Sequence, residues 1–310
     1  MSLIILTKPP VGFARIEQLK LAARNLFFGQ RGPGAVVDSV LRGLFKIGTD
    51  FKFNPRLSEI KPDDTVWVNS SLSALAWAIS AKRQDKFRRL AAGPNLVVSP
   101  VEHNRIIASP EIDCVLEPSE WVRDFYLSQV PELSERVCVW PAGVALPPVN
   151  SVERRLILVY YKTCSDAGLL AHIESTLKSK DLEYEVLRYG SYKPAEYYSL
   201  LEKSKAMIYL SNSESQGIAL AEAWAREVPT LVWDRGYFEH VSYSWKAKNI
   251  SAPYLVPQVG VIFTKADEFE DKLGEVLASL ESFSPRRYVE DNLSDEVSAR
   301  KLLSILMGNN

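Results

Sequence analysis

Residues 211–234 read SNSESQGIALAEAWAREVPTLVWD, and the fold follows from how this stretch is parsed. It comes directly after the apolar run Ala206–Leu210 and begins with a polar turn of Ser, Asn, Ser, Glu and Ser. An alanine-rich helical pattern opens at about Gly217, and a β-branched strand, Thr230–Trp233, follows Val228-Pro229. A strand that ends in a polar loop and then starts a helix is where open α/β sheets bind ligands. The lone glycine lets a ligand approach the backbone, and the helix start offers N–H groups to a phosphate. Glu214 and Glu222 stand eight positions apart, one in the loop and one about a turn inside the helix, so both can face one ligand. Each carboxylate can accept hydrogen bonds from two neighbouring hydroxyls.

Outward from this stretch, short apolar runs alternate with helical patterns, which predicts an α/β protein with parallel sheets. In the first half, strands are expected at Leu3–Leu6, Thr65–Val68, Asn95–Ser99, Cys114–Glu117 and Val137–Trp140. Helices are expected at Ala35–Ile47, Ser71–Arg83 and Ser119–Leu127, the last with Ser119 as its cap. Pro141–Pro148, PAGVALPP, reads as a linker because proline neither donates to a ladder nor favours helix before it. A second α/β series then begins. Its strands are Arg155–Tyr161, Glu183–Leu187, Ala206–Leu210, Thr230–Trp233 and Val259–Phe263; its helices include Asp166–Lys178, Pro194–Ser204 and Ala266–Leu280. A periodic helix, Asp295–Leu306, closes the chain. The expected division is 1–147, 148–285 and a C-terminal helical segment 286–310 that crosses back to the first domain.

At 310 residues the chain has room for two domains, and 46% hydrophobic with 24% charged residues is ordinary for a globular protein. The formal net charge of −1 argues against a nucleic-acid partner. A basic cluster of Lys82, Arg83, Lys86, Arg88 and Arg89 is either a solvated helix end or a peripheral membrane contact. Three cysteines without metal spacing fit a reducing compartment, and three scattered histidines make a zinc site improbable. The start is too short in apolar residues for a signal peptide, and a cytoplasmic location is expected.

The pattern E-x7-E, followed by an alanine-rich helix, Val-Pro and a β-branched strand, resembles the donor-site motif of the retaining glycosyltransferases of family 4. The resemblance extends roughly over residues 30 to 305. Pro118–Val122 with Trp140–Val144 is similar to the end of that family's first domain, and Gly32-Pro33-Gly34 to its first phosphate-facing loop. It implies the GT-B fold: two Rossmann-like domains with parallel sheets facing across a cleft. It also implies a nucleoside-diphosphate-sugar donor (UDP-, GDP- or dTDP-linked), a glycan or other hydroxyl acceptor, retention of configuration and no cofactor. No Asp-x-Asp occurs in the sequence, so a metal-free site is expected.

By the same resemblance, Glu214 would orient the transferred sugar and Glu222 would accept from the ribose. The amides of Gln216, Gly217 and Ile218 would contact sugar and phosphates. Lys162 would face the diphosphate, and Gly190, Ser191 and Tyr192 would lie near the base. Gly32 and Gly34 would let the first domain approach the diphosphate or acceptor. His103, at the end of an expected strand, would touch the acceptor or move a proton. The sequence departs from the family pattern at Ser215-Gln216 and at Glu227, and Ile157 stands where an arginine is expected. Those departures keep two alternatives open: a sugar-nucleotide epimerase of the same fold, and a non-catalytic scaffold that binds a partner.

Overall fold

The computed structural model describes residues 2–10, 33–148, 153–241 and 243–308. The chain forms two compact units, Met1–Gly143 with Asp295–Asn310, and Val144–Ser294. In the first unit the strands are β1 (Leu3–Leu6), β2 (Phe51–Phe53), β3 (Thr65–Val68), β4 (Arg89–Ala92), β5 (Cys114–Glu117) and β6 (Val137–Val139). They form one sheet in the order β2-β1-β3-β4-β5-β6, with every neighbouring pair parallel. Every residue of β1, β3 and β5 is buried, as a parallel sheet covered on both faces requires. Helices α1 (Pro33–Lys46), α2 (Leu72–Lys82) and α3 (Glu120–Gln129) belong to this unit.

The second unit carries β7 (Leu156–Tyr161), β8 (Tyr184–Arg188), β9 (Ser204–Leu210), β10 (Thr230–Trp233), β11 (Tyr237–His240), β12 (Tyr243–Lys246) and β13 (Gly260–Phe263). Five of them form a parallel sheet in the order β13-β10-β9-β7-β8, while β11 and β12 make a separate antiparallel hairpin. Its helices are α4 (Leu169–Ser179), α5 (Pro194–Lys203), α6 (Ile218–Trp224), α7 (Phe269–Ala278) and α8 (Pro285–Asn292). Strand periodicity sorts the core into two layers. Leu156, Leu158, Tyr160, Met207, Tyr209 and Val232 pack with α5 and α6 on one face. Ile157, Val159, Ile208, Leu210, Leu231 and Trp233 pack with α4 and α7 on the other.

The last helix, α9 (Asp295–Met307), lies against α1 within the first unit. Asp295, fully buried, accepts from Arg42 Nε at 2.8 Å and Arg42 Nη2 at 3.1 Å. Trp140 Nε1 donates to Ser298 O at 3.0 Å, and the Trp140 ring meets Trp67 edge-on at 5.5 Å.

Several expectations are corrected. The strand expected at Asn95–Ser99 is instead β4, Arg89–Ala92. Valines at 97 and 98 advertised β structure, whereas the real strand is two alanines and a leucine behind an arginine, placed by pairing with β3 and β5 rather than by propensity. Ser119 stands at the start of α3 but makes no capping bond; its hydroxyl is buried without a partner. The PAGVALPP segment does hold the division between the two units, at Gly143/Val144, but its first half is packed. Trp140, Ala142 and Val144 are buried, and Val144 N donates to Leu293 O at 2.8 Å. Of the basic cluster, Lys82 pairs with Asp113, Arg83 with Glu111, and Arg89 donates to Ile305 O. Among the described residues no helix is long and apolar enough to cross a membrane.

Candidate active site

The site is assembled at the C-terminal ends of β7 and β9. These strands pair with Tyr161 opposite Leu210, so the residues that follow each strand emerge side by side. Lys162 follows β7 and donates its amide to Leu210 O at 2.9 Å; the polar turn of Ser211 to Glu214 follows β9. Register alone therefore brings Lys162 to Glu214. Lys162 Nζ lies 2.8 Å from Glu214 Oε1 and 2.9 Å from Oε2.

Glu214 is held from several directions. Its amide donates to Ile250 O at 2.8 Å, and its Oε1 accepts from Tyr209 Oη at 2.7 Å and Ser211 Oγ at 2.9 Å. Ser251 Oγ donates to Ser211 O at 2.8 Å, tying the turn to the segment after the hairpin. The carboxylate is 8% exposed and the lysine 29%, so the ammonium is the outer member of the pair. Burial first, and the Glu214 charge second, hold the Tyr209 phenol well above its usual range, so it stays a donor.

Gly217 has φ +84°, and a Cβ there would sit 3.0 Å from Leu220 Cδ1. A left-handed residue at this point suits glycine and turns the loop into α6, with Gln216 buried and Ile218 opening the helix. Glu222 sits within α6, and its Oε1 accepts from Tyr198 Oη at 2.7 Å. Arg226 stacks on the Tyr198 ring at 3.9 Å and donates to Glu222 O at 3.1 Å.

Beneath the two glutamates lies a lattice of tyrosines. Tyr160 stacks on Tyr209 with centroids 5.1 Å apart and planes 9° from parallel, and its hydroxyl is 2.5 Å from that of Tyr192. Tyr197 contacts Tyr160 at 5.3 Å and Tyr198 at 5.9 Å, and donates to Ala219 O at 2.6 Å. Burial holds the Tyr160 and Tyr197 phenols above their usual range as well.

No protein-family model matches the sequence, and no curated protein matches it. Solved structures do. The lipopolysaccharide outer core galactosyltransferase WaaB, in its apo form, superposes with a TM-score of 0.62 at 11% identity, over 100% of both chains. TarM superposes with a TM-score of 0.55 at 12% identity, over 80% of this chain and 56% of TarM. The pneumococcal O-GlcNAc transferase GtfA, in complex with UDP and GlcNAc, gives 0.51 at 10% identity, over 80% of this chain and 57% of GtfA. This chain has the GT-B fold. It spans little more than half the length of TarM or GtfA and the whole of WaaB.

Within the GT-B frame, the donor-side residues expected from the sequence fall in the second unit. Lys162, Glu214, Gln216, Gly217 and Ile218 share one edge of its sheet, and the tyrosine lattice links Glu222 and Tyr192 to them. Gly190 has φ +91° in the turn after β8, and Ser191 Oγ donates back to Arg188 O at 2.6 Å. Tyr189 is exposed, and its ring lies 5.2 Å from Lys162 Nζ, whereas Tyr192 packs against the core. Trp224 and Trp233 are buried, their indole N–H groups donating to Thr230 Oγ1 and Thr264 O.

His103 and Gly34 belong to the first unit. His103 is exposed, in a turn of three successive left-handed residues, His103, Asn104 and Arg105. Gly34 lies inside α1, not in a loop before it; Gly32 lies outside the described residues.

Two features escaped the sequence reading. Arg235, 8% exposed, donates from Nε to Asn212 O at 3.1 Å and pairs with Glu239 at 3.2 Å. Position 157, where the resemblance expects an arginine, is Ile157 inside β7. The signal for Arg235 was its place two residues beyond the expected strand Thr230–Trp233. The β11–β12 hairpin, which grows from that same strand end, was also unforeseen.

Proposed function

We propose that the protein is a glycosyltransferase that moves a sugar from a nucleoside diphosphate to a hydroxyl acceptor, with retention of configuration and without a metal. One observation carries the reading: a lysine and a buried glutamate meet at the C-terminal edge of a parallel sheet, with the second glutamate of an E-x7-E pattern tied into the same lattice. The absence of any Asp-x-Asp favours cationic side chains over a metal for the diphosphate. A GT-B neighbour that carries UDP and GlcNAc supports a nucleotide-sugar donor.

In this reading, Lys162 exchanges its partner. The incoming diphosphate takes the outer ammonium, and Glu214, still held by Tyr209 and Ser211, turns its second oxygen to the hydroxyls of the sugar. The bond from the anomeric carbon to the diphosphate breaks, the acceptor oxygen bonds on the same face, and its proton leaves with the diphosphate. Lys162 stabilises the leaving charge. Glu222 accepts from the ribose. Gln216, Gly217 and Ile218 offer their backbone to sugar and phosphates, and Tyr192 lies near the base.

Thermal melts with UDP-, GDP- and dTDP-sugars test this. One nucleotide series should raise the melting temperature, and chromatography should then find diphosphate released and sugar on a second molecule. Isomerisation of the donor alone would indicate an epimerase; no shift with any nucleotide would indicate a scaffold.

A further inference from the structure

We infer that Tyr209 and Tyr198 are positioning residues, each holding one glutamate of the donor motif, and that the tyrosine lattice between them sets the distance between the two carboxylates. The inference rests on the donor-site reading and says how that site is kept in shape.

A glutamate has three side-chain torsions, and fixing them costs about 1.5–2 kcal/mol of rotamer freedom. Glu214 and Glu222 stand on different elements, a loop and a short helix, so nothing in the backbone alone keeps their carboxylates at one separation. A continuous path of rings joins them: Glu214 to Tyr209 by a 2.7 Å hydrogen bond, Tyr209 to Tyr160 by stacking, Tyr160 to Tyr197 and Tyr197 to Tyr198 by ring contact, and Tyr198 to Glu222 by a second 2.7 Å bond. Three further details tighten it. Tyr160 is locked at its hydroxyl by Tyr192, Tyr197 anchors α6 through Ala219 O, and Arg226 clamps Tyr198 from outside.

Phenylalanine would fill the same core positions without burying a hydroxyl, which costs about 1–3 kcal/mol when left unbonded. In this lattice the hydroxyls of Tyr209, Tyr198 and Tyr197 all point to residues of the motif itself, Glu214, Glu222 and Ala219. Core filling does not explain that choice of partners; holding the motif does.

The test uses Tyr209→Phe and Tyr198→Phe, with Tyr184→Phe as the control, since the Tyr184 hydroxyl bonds Glu174 on the opposite face of the sheet. Release of nucleoside diphosphate from UDP-, GDP- and dTDP-glucose is followed at varied donor concentration. Tyr209→Phe should lower kcat about tenfold with KM nearly unchanged, and Tyr198→Phe should raise donor KM about tenfold with kcat nearly unchanged, each being the loss of one hydrogen bond to a charged group. The control should match the unaltered protein. Wild-type kinetics in both variants, or equal loss of kcat and KM in both, overturns the inference. A ligand-free measurement separates the two claims: in urea unfolding, Tyr209→Phe combined with Glu214→Gln should cost less than the sum of the single changes. Additivity there removes Tyr209 as the holder of Glu214 even if the enzyme turns over. Coupling there, without nucleotide binding by any variant or the parent, keeps the Tyr209–Glu214 tie and overturns the donor reading together with the kinetic roles.

Discussion

Lys162 Nζ bridges both carboxylate oxygens of Glu214, at 2.8 and 2.9 Å, beyond the C-terminal ends of the inner strands β7 and β9. A carboxylate this buried depends on its cation. Lys162→Met takes the ammonium from Glu214 and should destabilise the protein by about 1–3 kcal/mol, less than for a wholly buried pair because the lysine is part-exposed. Adding Glu214→Gln to Lys162→Met should recover much of that loss. Urea unfolding of the two single variants and the double variant measures it; a double loss equal to the sum would mean the two side chains are not coupled.

The two glutamates are assigned different work, so their variants should fail differently. Glu222→Ala should abolish the thermal shift given by the cognate nucleotide. Glu214→Ala should keep most of that shift and lose sugar transfer by a hundredfold or more, on the order of 3 kcal/mol of transition-state stabilisation. Melts and product assays on the same preparations check both. Full turnover by either variant would remove its glutamate from the proposed site.

Much of this site was legible because it rests on local chemistry. The polar turn after Leu210, the glycine at 217 and the strand at Thr230–Trp233 each carry a signal in their own residue types, and β1, β3, β5 and β10 fall at the expected bounds. Lys162 was named from the resemblance, at the end of the first strand of the second series, and register brings it to Glu214. What the sequence concealed depends on register. The tyrosine lattice joins β7, β9, α5 and the turn after β8, and no spacing in the chain announces that Tyr160 stacks on Tyr209. The β11–β12 hairpin was overlooked because Tyr237-Phe238-Glu239-His240 does not alternate, although Tyr243–Lys246 alternates aromatic with polar as a strand does. Strand β4 was hidden because alanines took the place of β-branched residues.

Glu117, at the end of β5, is 2% exposed. Burial holds its carboxyl well above the usual range, and the neighbouring Tyr126 hydroxyl opposes this only in part. The sign follows. Unfolded, the group releases its proton near 4.5, while in the fold it stays neutral to higher pH. Its contribution to stability is therefore present in full below pH 4.5 and is lost as pH rises toward the folded value. Glu117→Gln removes the proton that folding must retain. The variant should melt higher than the parent at pH 7, with the advantage closing as pH is brought down to 4. An advantage independent of pH would assign the effect to packing.

One substitution made in two helices should have opposite signs. Alanine exceeds glycine in helix propensity by about 1 kcal/mol, so glycine-to-alanine changes inside helices stabilise by default. Gly274 in α7 obeys that default, since nothing lies within 4 Å of where its Cβ would be. Gly274→Ala should stabilise by about 0.5–1 kcal/mol. Gly43 in α1 does not, because its Cβ would fall 2.2 Å from Asp295 O and 2.8 Å from Ala299 Cβ. Neither is the free end of a flexible side chain, so α1 and α9 must separate, and Arg42 must stretch from the buried Asp295 carboxylate. Overpacking of this kind costs about 1–3 kcal/mol, more than the propensity returns. Gly43→Ala should therefore lower the melting temperature while Gly274→Ala raises it, and calorimetry on the two single variants decides whether the approach of α9 to α1 is as close as the structure has it.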